Sequence, residues 1–183
     1  NQTSPQATAD GSGGALIVWT DPRCSVPAPY VQRVLADGSL PPGWSSDGIS
    51  ASNYCNYQYF PQVAADGAGG AYIVWRDDRC GGFPYSHPFM QHLSSSGSVV
   101  SGWSTNGNPI GQYCRYGIGE EIRLLADGAG GAFVCWGERA PYYTQSDIMV
   151  QRMAPNGQPA SGWPAIAGGG DHAPGPSRRG CAS

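Results

Sequence analysis

Two loops of this 183-residue chain concentrate the side chains best suited to binding a ligand. One reads NYCNYQYF at residues 53–60, and the other reads QYCRYG at residues 112–117. Flat aromatic rings beside hydrogen-bonding side chains suit a sugar-binding platform, because the rings stack on the apolar face of a sugar. The same tyrosines can instead pack around a disulfide and seal adjacent parts of the fold, and both interpretations stay open. The candidate ligand-binding residues are Tyr54, Tyr57, Tyr59, Tyr113, Arg115 and Tyr116.

Acidic residues recur two positions after a tryptophan, at Asp21, Asp77 and Glu138. A ring of such carboxylates could bind calcium, but each has an arginine one or two positions later, which favours a local ion pair. The adjacent acidic pairs at 77–78 and 120–121 point to opposite sides of a strand, so neither pair can face one glycosidic bond. No serine nucleophile motif, phosphate loop or dinucleotide-binding motif is present. The sequence therefore predicts no catalytic residues, no cofactor and no enzyme.

A repeat in the chain must position these side chains. The segment DGSGGALIVW begins at residue 10, DGAGGAYIVW at residue 66 and DGAGGAFVCW at residue 127. Each is followed by a short alternating run and then by a Gly-Trp pair, and the three signals keep the same order. Regular spacing of this kind indicates a repeat architecture. The residues of the repeat are Asp10, Trp19, Trp44, Asp66, Trp75, Trp103, Asp127, Trp136 and Trp163, and in-register tryptophans favour core packing over ligand binding.

Within one repeat, the pattern predicts four antiparallel strands. The run PQVAA leads into an Asp-Gly turn, AYIVW returns from it, FMQHL alternates, and a weaker outer strand lies near GNPIG. Four such strands in about 60 residues are typical of a β-propeller blade. We therefore expect an all-β protein of three four-stranded antiparallel propeller-like blades, at about 5–50, 60–110 and 121–167. Residues 168–183, rich in Gly and Pro, are expected to form a connector or tail.

The cysteines are consistent with disulfides in an oxidising compartment. They are even in number, no CxxC pair occurs, and the three histidines are scattered, which argues against a zinc site. The loop after the second strand and the loop entering the next blade lie on one face, which predicts the pairs Cys24–Cys55 and Cys80–Cys114. Cys135 falls within a strand, where it either pairs with Cys181 or remains a buried free thiol.

The sequence resembles a group of secreted bacterial β-propeller-type repeat proteins. The resemblance rests on the motif DGxGGAxxVW followed by WxDxR and covers residues 5–167. Asp21 and Arg23 fit the second motif, as do Asp77 and Arg79, whereas the third copy departs from it at 138–139. The resemblance implies a propeller fold and an extracellular setting at the bacterial cell surface. It implies no particular activity, because propellers carry many functions.

Three blades are fewer than the roughly 4–8 that close a propeller, so an open array is expected to expose a blade face at each end. We therefore expect self-association, either into a closed oligomer or into a filament. The predicted function is a non-catalytic, secreted structural subunit, and the alternative is a lectin-like module that binds glycans through the Tyr-rich loops. A fragment of a longer protein would look the same. The net charge of −3 and the absence of a long apolar run predict neither a nucleic-acid partner nor a membrane span.

Overall fold

The computed structural model describes residues 1–23, 25–82, 85–111, 117–139, 147–163 and 166–168. The regular secondary structure in this part of the chain consists of β-strands, as the sequence predicts. In chain order the strands are β1 (Thr3–Ala9), β2 (Ala15–Asp21), β3 (Ala28–Val34), β4 (Ile49–Ser50), β5 (Gln58–Ala65), β6 (Ala71–Asp77), β7 (His87–Leu93), β8 (Asn108–Pro109), β9 (Gly117–Ala126), β10 (Ala132–Arg139), β11 (Asp147–Met153) and β12 (Ile166–Gly168).

The strands form three four-stranded antiparallel sheets, one for each sequence repeat. Sheet 1 has the order β1-β2-β3-β4, sheet 2 the order β5-β6-β7-β8 and sheet 3 the order β9-β10-β11-β12. The first strand of sheet 3 begins at Gly117, earlier than the expected boundary near residue 121. The reason is that Ile118 pairs with Glu138 and is buried, as Gln58 pairs with Asp77 in sheet 2.

An Asp-Gly turn joins the first two strands of every sheet. In sheet 2, Gly67 and Gly69 have φ angles of 81° and 84°, which glycine adopts without steric cost. The carboxylate of Asp66 accepts hydrogen bonds from the backbone amides of Ala68 and Gly70 at 2.7 and 2.8 Å. Asp10 and Asp127 make the same two bonds in the other sheets. The repeated aspartate therefore fixes the turn that sets the strand register.

Sheet 2 is buried on both faces. Successive strand residues point to opposite sides of the sheet, so neighbouring residues show the burial of each side. Ile73 and Trp75 are fully buried in a core shared with sheet 1. Tyr72 and Val74, on the other side of the same strand, are fully buried in a core shared with sheet 3. The three sheets consequently pack face to face in chain order, with sheet 2 between the other two.

Several hydrogen bonds tie each sheet to the next, and one of them repeats at both junctions as an indole bond. Trp44 Nε1 donates to the carbonyl oxygen of Ser95 at 2.9 Å, and Trp103 Nε1 donates to that of Pro155 at 2.8 Å. Another bond comes from different positions, since Arg33 Nη1 donates to Gly69 O at 2.8 Å, whereas the Tyr72 hydroxyl donates to Gly130 O. The indole bond is thus the same at both junctions, whereas this other side-chain bond to a glycine carbonyl differs in its donor.

Candidate functional site

Asp77, at the end of β6, is the centre of a buried hydrogen-bond cluster. Its carboxylate accepts bonds from Trp75 Nε1 at 2.9 Å, Gln58 Nε2 at 2.8 Å and Arg79 Nη2 at 2.6 Å, and the residue is fully buried. The expected local ion pair is therefore present, with protein donors occupying the carboxylate. Sheet 1 repeats the cluster with Asp21, Trp19, Gln2 and Arg23.

The same hydrogen bonds set the acidity of the carboxylate in sheet 1. The bond from Arg23, assisted by those from Gln2 and Trp19, holds the pKa of Asp21 well below its usual value in spite of burial. In sheet 3, Glu138 is half-buried and Ile118 stands where the other sheets have a glutamine. The lowered pKa keeps the Asp21 carboxylate ionised, so that it can pair with Arg23 in the structural cluster of sheet 1.

The turn aspartates form a second set of ion pairs, with the third strand of their own sheet. Asp10 pairs with Arg33 at 2.8 Å, Asp127 pairs with Arg152, and His92 Nε2 lies 2.9 Å from Asp66 Oδ2. Burial raises the pKa of Asp66, but the bonds from His92 and from the turn amides outweigh it, so that the pKa lies below its usual value. These carboxylates support turns and strands.

A bulge in the first strand of sheet 2 redirects its side chains. Phe60 precedes a proline and has a φ of 53°, and the pairing with β6 shifts register between Tyr59 and Gln62. Ser4 occupies the same place in sheet 1 with a φ of 54°. Left-handed backbone at a non-glycine residue persists only where its surroundings fix it. The bulge places both Tyr59 and Phe60 beside one side chain of β6, that of Arg76.

We call Tyr57, Tyr59, Phe60 and Arg76 the aromatic surface. The Tyr57 and Tyr59 rings stack with centroids 6.0 Å apart and planes 23° apart, and the Tyr59 and Phe60 centroids lie 6.1 Å apart. The Arg76 guanidinium carbon lies 5.2 Å from the Tyr59 centroid and 5.1 Å from the Phe60 centroid. Tyr57 is 49% exposed. The result is a row of rings that ends in solvent and has a cation at its base.

The Arg76 guanidinium makes no hydrogen bond to the described residues. Its Nε is buried and lacks a hydrogen-bond partner among them, and the carboxylate Oδ1 of Asp78 lies 3.7 Å away from it. Asp78 Oδ1 also accepts a bond of 2.5 Å from the Ser86 hydroxyl. Burial raises the pKa of Tyr59, and the neighbouring Asp78 adds to this, so the phenol stays protonated as a donor. A cation and an anion therefore lie side by side next to the rings.

Among the described residues, sheet 2 is the only sheet with this aromatic surface. The position of Arg76 is taken by Thr20 in sheet 1 and by Gly137 in sheet 3, as the strand pairings show. The positions of Tyr59 and Phe60 correspond to Thr3 and Ser4 in sheet 1. A side chain that the fold itself required would be expected in every repeat.

The structure brings together part of the predicted ligand-binding set. Tyr57 and Tyr59 stack on each other, while Tyr54 is 42% exposed and lies over Arg79, 4.5 Å from ring centroid to guanidinium carbon. Tyr113, Arg115 and Tyr116 lie outside the described residues. Sequence reasoning missed Phe60 and Arg76. The available signal was the sequence WRDDR, which places an arginine where the first repeat has a threonine.

Two of the predicted disulfides involve sheet 2. Cys80 is disulfide-bonded. Its predicted partner Cys114 lies outside the described residues, as does Cys24, so the pairs Cys24–Cys55 and Cys80–Cys114 stay predictions. Cys135 carries a free thiol in β10 and is half-buried.

Sheet 3 has a face with no described sheet packed against it, which is mostly apolar and also carries Arg123 and Arg152 by strand register. Leu125 is 66% exposed and Ile148 is 49% exposed, and strand alternation places Phe133, Cys135 and Val150 on the same side. In sheet 2 the corresponding positions include Tyr72 and Val74, which are fully buried. The Gly-Trp turns also show that this face is uncovered. A Cβ at Gly102 of sheet 2 would overlap the Asn156 carbonyl of sheet 3, whereas a Cβ at the equivalent Gly162 would meet no described atom within 4 Å.

Sheet 1 also has a face with no described sheet packed against it, on the side that points away from sheet 2. Ile17 and Trp19 are half-buried there, although their equivalents Ile73 and Trp75 in sheet 2 are fully buried. Ala7, Tyr30 and Val34 lie on the same side of the sheet by strand register. The two ends of the stack thus expose the two different halves of one packing arrangement.

Comparisons with known proteins identify a shared fold. No family model and no curated protein matches the sequence. Among solved structures, the endo-arabinase from Bacteroides thetaiotaomicron matches with a TM-score of 0.53 and 10% sequence identity. The match covers 91% of this chain and 62% of the endo-arabinase, so the chain spans less than two thirds of its neighbour. At this identity the likeness concerns the fold.

The comparison corrects one prediction from the sequence. We expected a chain that is not an enzyme, and this expectation is wrong, because the matching architecture is that of an enzyme, an endo-arabinase. The absence of a familiar catalytic motif was therefore an insufficient ground for excluding catalysis. Among the described residues, no three His, Cys, Asp or Glu side chains are grouped to hold a metal ion. Nor does the described part contain a helix long and apolar enough to cross a membrane.

Proposed function

We propose that the three sheets are consecutive blades of a β-propeller, and that the chain is a secreted subunit that binds further copies of itself through its two open faces. The observation that carries this proposal is the relation between those faces. Each reproduces one half of a blade–blade contact that occurs twice within the chain. The disulfide at Cys80 supports an oxidising, extracellular compartment.

The proposed contact follows the internal junctions residue by residue. Ile17 and Trp19 of one copy would cover Phe133 and Cys135 of another, as Ile73 and Trp75 cover Leu16 and Val18 of sheet 1. The indole of Trp163 would donate to the carbonyl of Ala36, which occupies the position of Ser95 and Pro155 in the turn. Because the two faces differ, the contact is head to tail, and its rotation decides between a ring and a filament.

The faces can be disabled one at a time. Ile17→Asp places a charge on the sheet 1 face, and Leu125→Asp places one on the sheet 3 face. A head-to-tail contact needs one intact face of each kind, so each variant alone should be monomeric by sedimentation velocity. An equimolar mixture should form dimers and nothing larger, because the mixture holds one compatible pair of faces.

Val99→Asp is the matched control, since Val99 is 37% exposed but lies in the middle blade. This variant should assemble like the unmodified protein. Two copies would give six blades, within the usual range of about 4–8 for a closed propeller. A monomeric unmodified protein at about 100 μM, where an interface of standard size associates, would contradict the proposal. So would a mixture of the two variants that stays monomeric.

A second candidate function is the recognition or processing of carbohydrate. The aromatic surface carries it, and the endo-arabinase that shares the fold gives the first substrate to test, a linear arabinan. Affinity electrophoresis in arabinan-containing gels measures binding, and the release of reducing ends measures cleavage. Retarded migration or the release of reducing ends would support this function. The absence of both effects, with arabinan and with xylan, would contradict this second function.

A further inference from the structure

We propose that the aromatic surface, together with Asp78, is the binding site for a neutral saccharide ring with adjacent free hydroxyl groups. This proposal rests on the second candidate function and adds the site and the class of ligand. It follows from three features of sheet 2: an exposed and oriented ring, an arginine that makes no hydrogen bond to the described residues, and a carboxylate beside it.

The first feature is the presentation of Tyr57. Its ring is 49% exposed, so one face is open to a ligand. The other contacts fix its position, since it stacks on Tyr59 and its carbonyl accepts a hydrogen bond of 2.9 Å from the backbone amide of Asp78. An aromatic ring that is already oriented loses little conformational freedom when a sugar stacks on it. Tyr57 is therefore suited to be the stacking platform.

The second and third features supply polar recognition. Arg76 makes no hydrogen bond to the described residues and carries a buried, unpartnered Nε, while its side chain retains 13% exposure. Asp78 Oδ1 lies 3.7 Å from that nitrogen. A hydroxyl group both accepts and donates, so two adjacent sugar hydroxyls can accept from the guanidinium and donate to the carboxylate.

The charges select a neutral ligand. Arg76 and Asp78 offset each other, and the chain as a whole carries a net charge of −3. A uronic acid would bring its carboxylate next to Asp78 with no unpaired cation to balance it. A neutral sugar meets no such repulsion, so we infer discrimination against acidic polysaccharides.

The site's restriction to sheet 2 separates this role from a structural one. Sheet 1 has Thr3, Ser4 and Thr20 where sheet 2 has Tyr59, Phe60 and Arg76, and yet it forms the same bulge and the same buried Asp cluster. The fold therefore does not require the aromatic side chains at these positions.

The test compares binding of arabinohexaose, xylohexaose and polygalacturonate by isothermal titration calorimetry. The unmodified protein should bind at least one neutral hexaose and bind polygalacturonate at least tenfold more weakly. Tyr57→Ala and Arg76→Gln should each weaken hexaose binding at least tenfold, and Tyr57→Trp should retain it. Leu40→Ala is the control, because Leu40 is 38% exposed but lies in the loop between β3 and β4 of sheet 1.

The outcomes distinguish the site from the function. Hexaose binding that survives both Tyr57→Ala and Arg76→Gln would overturn the site and leave carbohydrate recognition standing elsewhere in the chain. Tighter binding of polygalacturonate than of either hexaose would overturn the proposed ligand class. No binding of any of the three would overturn both. Thermal melting of every variant ensures that lost binding reflects the site, and an Arg76→Gln variant that fails to fold is replaced by Arg76→Lys.

Discussion

Arg76 and Asp77 are neighbours on one strand but belong to two different regions. The region of Asp77 recurs in sheet 1, and the region of Arg76 does not. Asp77 faces the buried cluster with Gln58 and Arg79, and sheet 1 builds the same cluster from the same residue types. Arg76, on the other side of the strand, lies beside rings that no other described sheet contains. Repetition in register marks what the fold needs, and departure from it marks what one sheet alone can use.

The largest effect should come from the repeated region. Asp77→Ala leaves the Arg79 guanidinium, the Trp75 indole and the Gln58 amide without their buried acceptor, so it should lower the free energy of unfolding by about 3–5 kcal/mol. Urea denaturation measures the loss. Arg76→Gln is the paired control on the other side of the strand and should cost less than about 1 kcal/mol. Equal losses for the two variants would refute the division between the regions.

Acid should destabilise sheet 2 through His87. Burial lowers the pKa of His87 to about 4, whereas an unfolded histidine titrates near 6.5. The unfolded chain therefore binds the proton first, so stability is complete above pH 6.5 and falls as the pH is lowered towards 4, by about 2–3 kcal/mol in all.

His87→Leu should flatten this decline between pH 7 and 5, as followed by urea denaturation at each pH. Sheet 1 already has Ala28 at this position, which shows that the strand tolerates an uncharged residue there. An unchanged slope in the variant would mean that other groups account for the acid sensitivity.

A smaller effect should come from the junction between sheets 2 and 3. Tyr72→Phe removes the hydroxyl that donates to the Gly130 carbonyl and keeps the ring that stacks on His92. A single neutral hydrogen bond contributes about 1 kcal/mol, so the free energy of unfolding should fall by that amount. Tyr85→Phe, at a 38% exposed tyrosine, should change it far less. Burial raises the pKa of Tyr72 to about 12, so the wild-type bond should persist in mild alkali.

The smallest effect on stability should come from the unrepeated region. Tyr57→Ala removes a half-exposed ring and should change the free energy of unfolding by less than about 0.5 kcal/mol. Thermal and urea unfolding of the variant beside the unmodified protein provide the measurement. A loss of 2 kcal/mol or more, the range of a buried aromatic side chain, would show that Tyr57 serves the core instead.

The sequence was sufficient for the elements that local chemistry determines. The second strand of each repeat and its Asp-Gly turn follow from the apolar run and from the glycines that the turn requires. The local ion pairs of Asp21 and Asp77 follow from an arginine two positions later. These features depend on residues close together in the chain.

Other features depend on residues far apart in the chain. Nothing near Arg33 or Tyr72 indicates that each donates to a glycine carbonyl of the next sheet. The bulge at Phe60 likewise depends on pairing with a separate strand, and it is what brings Phe60 to Arg76. The sequence therefore predicted the tyrosines of the candidate site but not Phe60 and Arg76.

The indole bonds between sheets have a consequence for how such a gene can change. Trp44 and Trp103 donate to the backbone carbonyls of Ser95 and Pro155, two unlike residues. A carbonyl oxygen is present whatever side chain the residue carries, so the bond does not restrict which amino acid occupies the acceptor position. The indole bond to a duplicated unit would therefore form without a compensating mutation at the acceptor. Unequal crossing-over can thus lengthen or shorten the array one unit at a time, and each recombinant inherits this junction bond already formed.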